Sequence, residues 1–293
     1  MKKKPIKECI VFSLIALIAA VSIIATAQIG TRKYYPGDDS KLQIVFLGDS
    51  NIAYDFDDKT IPHRVAERIE CDVYNCAVGG TAAAKINTSN FFDKSFDLLC
   101  LYNVTKIMEA EDHQPLLDFF WEATLNEQQA TGKMQMLTNM NYDEIDYVVI
   151  SYGLNDYTTG AAISSDDLYD EFTYEGALRS SIERIQKLCP NATIIVSSIT
   201  YCVFYENGEV VEDGYERNWG GGYINDYRDA AETVASEYDD VIFMDNLELL
   251  GIDRTNYEEY IRDDLHLNIV GQEKYTDILV EIIKENENRK DDK

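Results

Sequence analysis

Leu42-Gln43-Ile44-Val45-Phe46-Leu47 runs directly into Gly48-Asp49-Ser50. The first six residues are almost wholly apolar, as a strand covered on both faces of a parallel sheet should be. The tripeptide that closes the run sets a hydroxyl at a strand's carboxyl end, where open α/β sheets present their chemistry.

The same alternation continues on the C-terminal side. Ile61, Val65 and Ile69 recur at helical spacing, with Pro62 tolerated in the first turn. Residues 72–76 predict a second strand, running into Ala77-Val78-Gly79-Gly80-Thr81, and residues 145–151 a third, delivering Gly153-Leu154-Asn155-Asp156. Leu178, Ile182, Ile185 and Cys189 mark a helix that stops at Pro190. Strands follow at 192–197 and 241–244, separated by a helix carrying Ile224, Tyr227, Ala231, Val234 and Tyr238. Asn268 can cap a last helix with the stripe Tyr275, Ile278, Leu279 and Ile282. Strand and helix alternate throughout, which predicts an α/β domain with a central parallel sheet of about five strands, covered on both faces.

Two stretches exceed what such connections need. Residues 82–141 read as a helical insertion with Leu98, Leu99, Leu101, Leu116, Leu117, Phe119, Phe120 and Trp121. Residues 201–223 contain the hairpin signal Asn207-Gly208, then Trp219 before three glycines. Both follow strands and are expected to shape a substrate site. The polar end, residues 285–293, reads as a frayed tail.

The N-terminus stands apart. Lys2, Lys3, Lys4 and Lys7 precede an uncharged run over residues 9–30, long enough to cross a ~30 Å hydrocarbon core as a helix. The lysines favour a cytoplasmic N-terminus and an exported remainder. Ala25-Thr26-Ala27 also fits a small-x-small cleavage site, so the segment is a single-pass anchor or a long signal peptide. Residues 1–33 are thus expected to form the anchor or signal, and residues 34–293 a single domain. Beyond residue 33 the chain holds 20 Lys and Arg against 52 Asp and Glu, a net of −32. Such a field repels nucleic acid and anionic lipid and is easier to reconcile with a neutral or cationic substrate. Five cysteines, Cys71, Cys76, Cys100, Cys189 and Cys202, lie outside the anchor and are expected to be buried free thiols. No Cys-x-x-Cys or His-x-x-x-His pair supports zinc, and the acidic run Asp55, Asp57, Asp58 lacks the glycine and distal glutamate of an EF-hand loop. Neither a metal nor a cofactor is expected.

A serine hydroxyl needs a base within hydrogen-bond reach to act as a nucleophile. Of the three histidines, His63 falls on the polar side of a helix and His113 lies in the insertion, whereas His266 sits in a pre-helical loop three residues after Asp263. Asp263 could orient the imidazole, with Asp264 as its competitor. Donors for an oxyanion are the Ser50 N–H, a glycine N–H after the second strand and the Asn155 amide. Asp156 reads as a turn residue holding its own backbone.

With these blocks in order, the chain resembles the SGNH hydrolases, the GDSL-type esterase/lipase superfamily. Gly48-Asp49-Ser50 matches the first block but continues with Asn51 where Leu is frequent; Gly153, Asn155 and Asp156 match the third and Asp263 with His266 the last. The family's spacing from Asn75 selects Gly80 over Gly79, and its Asp-x-x-His spacing selects Asp263 over Asp264. The resemblance spans about residues 41–285 and implies the flavodoxin-like three-layer α/β/α SGNH fold. It also implies carboxylic-ester hydrolysis through an acyl-enzyme, with catalytic Ser50, Asp263 and His266 and an oxyanion hole from Ser50, Gly80 and Asn155. Export and charge add an expectation of O-acetyl groups on glycans or cell-envelope polymers, with lipid esters second. Two alternatives remain at this stage: an O-acetyltransferase using the same site with a sugar acceptor, and an SGNH-like surface protein that binds without turnover.

Overall fold

The computed structural model describes residues 40–55, 57–86, 97–110 and 128–291. The apolar run of residues 9–30 lies outside them, as do His113, Leu116, Leu117, Phe119, Phe120 and Trp121. Among the described residues no helix is long and apolar enough to cross a membrane.

In chain order the strands are β1 (Gln43–Gly48), β2 (Asp72–Asn75), β3 (Tyr147–Ser151), β4 (Thr193–Ser197), β5 (Val203–Glu206), β6 (Glu209–Asp213) and β7 (Val241–Met244). Five of them form a sheet in the order β2-β1-β3-β4-β7, every neighbouring pair parallel. The expected five-stranded parallel sheet is therefore present. The helices are α1 (Ser50–Ala53), α2 (Ile61–Ile69), α3 (Leu101–Glu109), α4 (Gln128–Asn139), α5 (Leu154–Thr159), α6 (Tyr174–Leu188), α7 (Ile224–Ala235), α8 (Asn246–Leu249), α9 (Tyr257–Tyr260) and α10 (Ile269–Asp291).

The even spacing of side chains on β1 explains the layers. Ile44 and Phe46 join Ile61 and Val65 of α2 and Tyr275 and Leu279 of α10 in one core. Val45 and Leu47 point the other way, into a core with Leu101 of α3, Leu178 and Ile182 of α6, and Ala231 and Val234 of α7. Each face of the sheet carries its own helical layer, so β1 and β3 are buried along their whole length. All five cysteines expected as free thiols are unbridged and buried.

Chain connection runs from β1 outward to β2 and then back across to β3 on the opposite side. That reversal opens a crevice at the carboxyl ends of β1 and β3, where Gly48 is in register with Ser151. Ser50 follows one of these ends and Asn155 the other.

The insertion at 201–223 contains the expected hairpin: β5 and β6 are antiparallel about Asn207-Gly208, both with positive φ, +52° and +86°, as a type I′ turn requires. In the longer insertion Leu99 and Leu101 are buried. The chain end departs from the expected frayed tail. Helix α10 continues to Asp291, because Asn286 donates to Tyr147 Oη at 2.9 Å and Tyr147 donates to Glu287 Oε1 at 2.5 Å. Polar residues that look solvated in sequence here dock onto the amino end of β3.

Candidate active site

Asp49 caps α1: it has extended backbone and its carboxylate accepts the Asn51 N–H at 3.0 Å. Ser50 is therefore the first residue of the helical turn and not its cap, which leaves its hydroxyl to other partners. Ser50 Oγ lies 2.8 Å from His266 Nε2, and His266 Nδ1 is 3.0 Å from both carboxylate oxygens of Asp263. Asp264 is exposed, and its backbone carbonyl accepts the Val203 N–H of β5 at 3.0 Å.

Burial opposes ionisation of Asp263, but the N–H groups of Leu265 and His266, each at 2.9 Å, together with the imidazole, hold its carboxyl below the usual range. An ionised carboxylate can only accept, so the Nδ1 proton faces Asp263. In the neutral imidazole Nε2 is then the acceptor, aimed at the Ser50 hydroxyl. The arrangement can take a proton from Ser50 as its oxygen attacks an electrophile.

The loop after β2 forms the second wall. Val78 N–H donates to the Gly48 carbonyl at 2.9 Å, drawing the loop against the end of β1. Gly80 has φ +79°, left-handed backbone that glycine adopts without penalty. Gly79 answers a different need: a Cβ there would lie 2.3 Å from Tyr54 Oη. Asn155 Nδ2 donates to the Thr81 carbonyl at 3.0 Å, beside Gly80, and an amide carries a second N–H. Among the described residues the Ser50 N–H has no protein acceptor, since the α1 bonds begin at Asn51.

Asp156 holds its own backbone N–H, as expected of a turn residue, and does more. Its carboxylate reaches across to the Ala83 and Ala84 N–H groups at 2.8 and 2.9 Å. The sequence offered no local signal for this, because the partners lie more than 70 residues earlier. Asp49 and Asp156 are both buried. Burial raises Asp49 to about 7, against the Asn51 N–H and with help from the Asp156 charge. Burial likewise raises Asp156 to about 6, against the N–H groups of Ala83, Ala84 and Asp156 itself.

Three further residues border the crevice that sequence reasoning did not assign to it. Tyr54 is 45% exposed, packs its hydroxyl on Gly79 and sets its ring 5.7 Å from the His266 ring. Lys133 of α4 donates to the Ala77 carbonyl, and burial lowers its pKa. That contact brings the long insertion to the glycine loop. Asn51 bonds the loop of His266. His63 stands away from the crevice, exposed and 3.8 Å from Glu67 on α2. Asp57 pairs with Arg64, and no cluster among the described residues could hold a metal ion.

A family model described as GDSL-like Lipase/Acylhydrolase matches residues 46–274. Comparison with curated proteins returned no match. Among solved structures, a protein from Lactobacillus plantarum is similar at a TM-score of 0.57 and 16% identity, covering 84% of this chain and 97% of its own. A protein described as a possible lipase from Chitinophaga pinensis is similar at 0.53 and 16% identity, covering 84% and 98%. These likenesses are of fold.

Proposed function

Because the chain belongs to the GDSL-like lipase/acylhydrolase family, we propose that it is a serine esterase that hydrolyses carboxylic esters through an acyl-enzyme. The observation that carries this reading is the unbroken chain Ser50 Oγ, His266, Asp263, with contacts of 2.8 and 3.0 Å. Ser50 Oγ attacks the ester carbonyl carbon while His266 Nε2 takes its proton. Negative charge gathers on the carbonyl oxygen, which the N–H groups of Ser50 and Gly80 and the Asn155 amide receive. The imidazolium then protonates the departing alcohol, leaving the acyl group on Ser50. Water, deprotonated by His266, attacks that ester; the acyl bond to Ser50 Oγ breaks, the imidazolium returns its proton to Oγ, and the acid leaves. Asp263 holds the Nδ1 proton in place and favours the imidazolium.

The substrate we propose is a small ester or an O-acetylated glycan or cell-envelope polymer. A net charge of −32 beyond residue 33 disfavours anionic polymers, and the uncharged run of residues 9–30 behind four lysines favours export of the single domain of residues 34–293. The protein is then extracytoplasmic, tethered through residues 1–33 or secreted after their removal.

Labelling of the full chain with a fluorophosphonate, followed by peptide mapping, tests the chemistry: the adduct is expected on Ser50, and an unlabelled protein would overturn the reading. Aryl esters of graded acyl length, assayed with and without sugar acceptors, identify the acyl group and its acceptor. A reporter fused after Lys293 is expected to be active outside the cytoplasm, and activity inside would overturn the proposed topology.

A further inference from the structure

Asn51 is the one position at which the first block departs from the common Leu, and it is 3% exposed in the middle of the site. Its Oδ1 accepts the Leu267 N–H at 2.9 Å. Its Nδ2 donates to the Leu265 carbonyl and to Thr200 Oγ1, both at 3.4 Å. One amide therefore holds both neighbours of His266 in the chain. Its own backbone N–H is fixed by Asp49, so the amide extends from the same rigid turn that carries Ser50.

The ladder beneath this loop explains why the contact is available. Ile261 and Leu267 form an isolated antiparallel bridge, flanked by the bonds Arg262 N–H to His266 O and Asn268 N–H to Tyr260 O, each 2.8 Å. Ile261 and Leu267 are thus the non-hydrogen-bonded pair, and the Leu267 N–H points away from the ladder. Without an acceptor it would be a buried unpaired donor, since Leu267 is 0% exposed. A leucine at position 51 could neither accept from Leu267 nor donate to Leu265.

We propose that Asn51 is a positioning residue that ties the His266 loop to the nucleophile turn and so sets the separation of Ser50 Oγ from His266 Nε2. The inference rests on the esterase reading. Its consequence is specific: loosening the tie leaves ester binding alone and degrades proton transfer, because transfer depends steeply on donor–acceptor alignment.

The test compares full-length wild type with Asn51→Leu, Asn51→Asp and Ser50→Ala on a short aryl ester, with fluorophosphonate labelling rates measured in parallel. Asn51→Leu is expected to lower kcat by about 10- to 100-fold with KM within about twofold, and to slow labelling by a similar factor. Asn51→Asp retains an acceptor for Leu267 and loses the donation to Leu265, so its kcat and labelling rate should fall between the two. Should Asn51→Leu fail to fold, Asn51→Asp carries the test alone, with a kcat below wild type at unchanged KM as the expected result. A folded Asn51→Leu with wild-type kcat and labelling rate, or Asn51→Asp with wild-type values where Asn51→Leu cannot be obtained, overturns the positioning role. A loss that appears in KM and not in kcat overturns it also. Ser50→Ala separates this failure from that of the esterase reading, because activity surviving in Ser50→Ala would sink the reading itself.

Discussion

The Asn155 side chain donates to the Thr81 carbonyl at 3.0 Å, joining the turn after β3 to the glycine loop after β2. One N–H of the amide is committed to holding Thr81, and the other remains for a ligand. The next residue reinforces the join, since the Asp156 carboxylate takes the Ala83 and Ala84 N–H groups. Asn155 is thus aimed by a bond to the loop that carries its proposed partner donor, Gly80, so both donors move as one piece. This preorganisation is what an oxyanion site requires, because donors that must reorient during the reaction lose much of their benefit.

Asn155→Ala should therefore lower kcat by roughly 10²- to 10³-fold, the usual cost of one oxyanion donor, with a smaller change in KM. Steady-state kinetics on an aryl ester reads both. A several-fold rise in KM at constant kcat would instead make Asn155 a substrate-binding group.

Ser50, Asp263, His266 and the five strands were legible because each signal is local: apolar runs, a hydroxyl at a strand end, an acid three residues before an imidazole. The choice of Asp263 over Asp264 needed the family's spacing, and the contact with His266 is made by Asp263. What escaped the sequence is long-range. Asn51 meets partners 149 to 216 residues away, so no window along the chain could reveal it. Tyr54 follows a four-residue helix and reads as a loop aromatic until Gly79 and His266 are brought beside it. Asn286 and Glu287 look like solvent-facing tail residues because Tyr147, which receives them, is about 140 positions earlier. Periodicity finds faces, whereas polar side chains with distant partners leave no periodic trace.

Asp263→Asn removes the charge that favours the imidazolium and frees the ring to adopt the wrong tautomer. kcat should fall on the order of 10³-fold, and Asp264→Asn should stay within about twofold. The carboxyl of Asp263 lies below its ordinary pKa in the folded chain. Its contribution to stability is thus present above the unfolded value of ~3.9 and lost as pH falls through the folded one. Urea unfolding of wild type and Asp263→Asn should accordingly converge only under strongly acidic conditions. A damaging Asp264→Asn beside a benign Asp263→Asn would reassign the acid.

Gly79→Ala would set a methyl 2.3 Å from Tyr54 Oη. The tyrosine must swing off the glycine loop, because the backbone of residues 77–81 is held by Val78 and Thr81. A cost of about 1–3 kcal/mol is expected from such overpacking, together with a changed KM as the wall beside His266 opens. Tyr54→Ala removes the obstacle, so Gly79→Ala should be close to neutral in that background. A double-mutant cycle on stability and KM measures the coupling, and additive effects would show that the two residues do not share the space.

Asp49 makes stability depend on pH in the opposite sense to Asp263. Its folded pKa is raised, to about 7, chiefly by burial. The folded chain therefore binds a proton that the unfolded chain releases near pH 4. The stabilisation is fully present below the unfolded value and is lost as pH rises through about 7. Asp156, raised by burial to about 6, acts with the same sign over a slightly narrower window. At ~1.4 kcal/mol for each pH unit, Asp49 alone accounts for up to roughly 4 kcal/mol between pH 4 and neutrality. Asn at this position keeps an oxygen for the Asn51 N–H and cannot ionise, so Asp49→Asn should flatten the slope and gain on wild type as pH rises from 4 to 8. Urea unfolding at pH 4, 6 and 8 measures the two curves. Parallel curves for wild type and Asp49→Asn would mean that Asp49 carries the same charge in both states, and the buried acid beneath Ser50 would then have no part in the pH response.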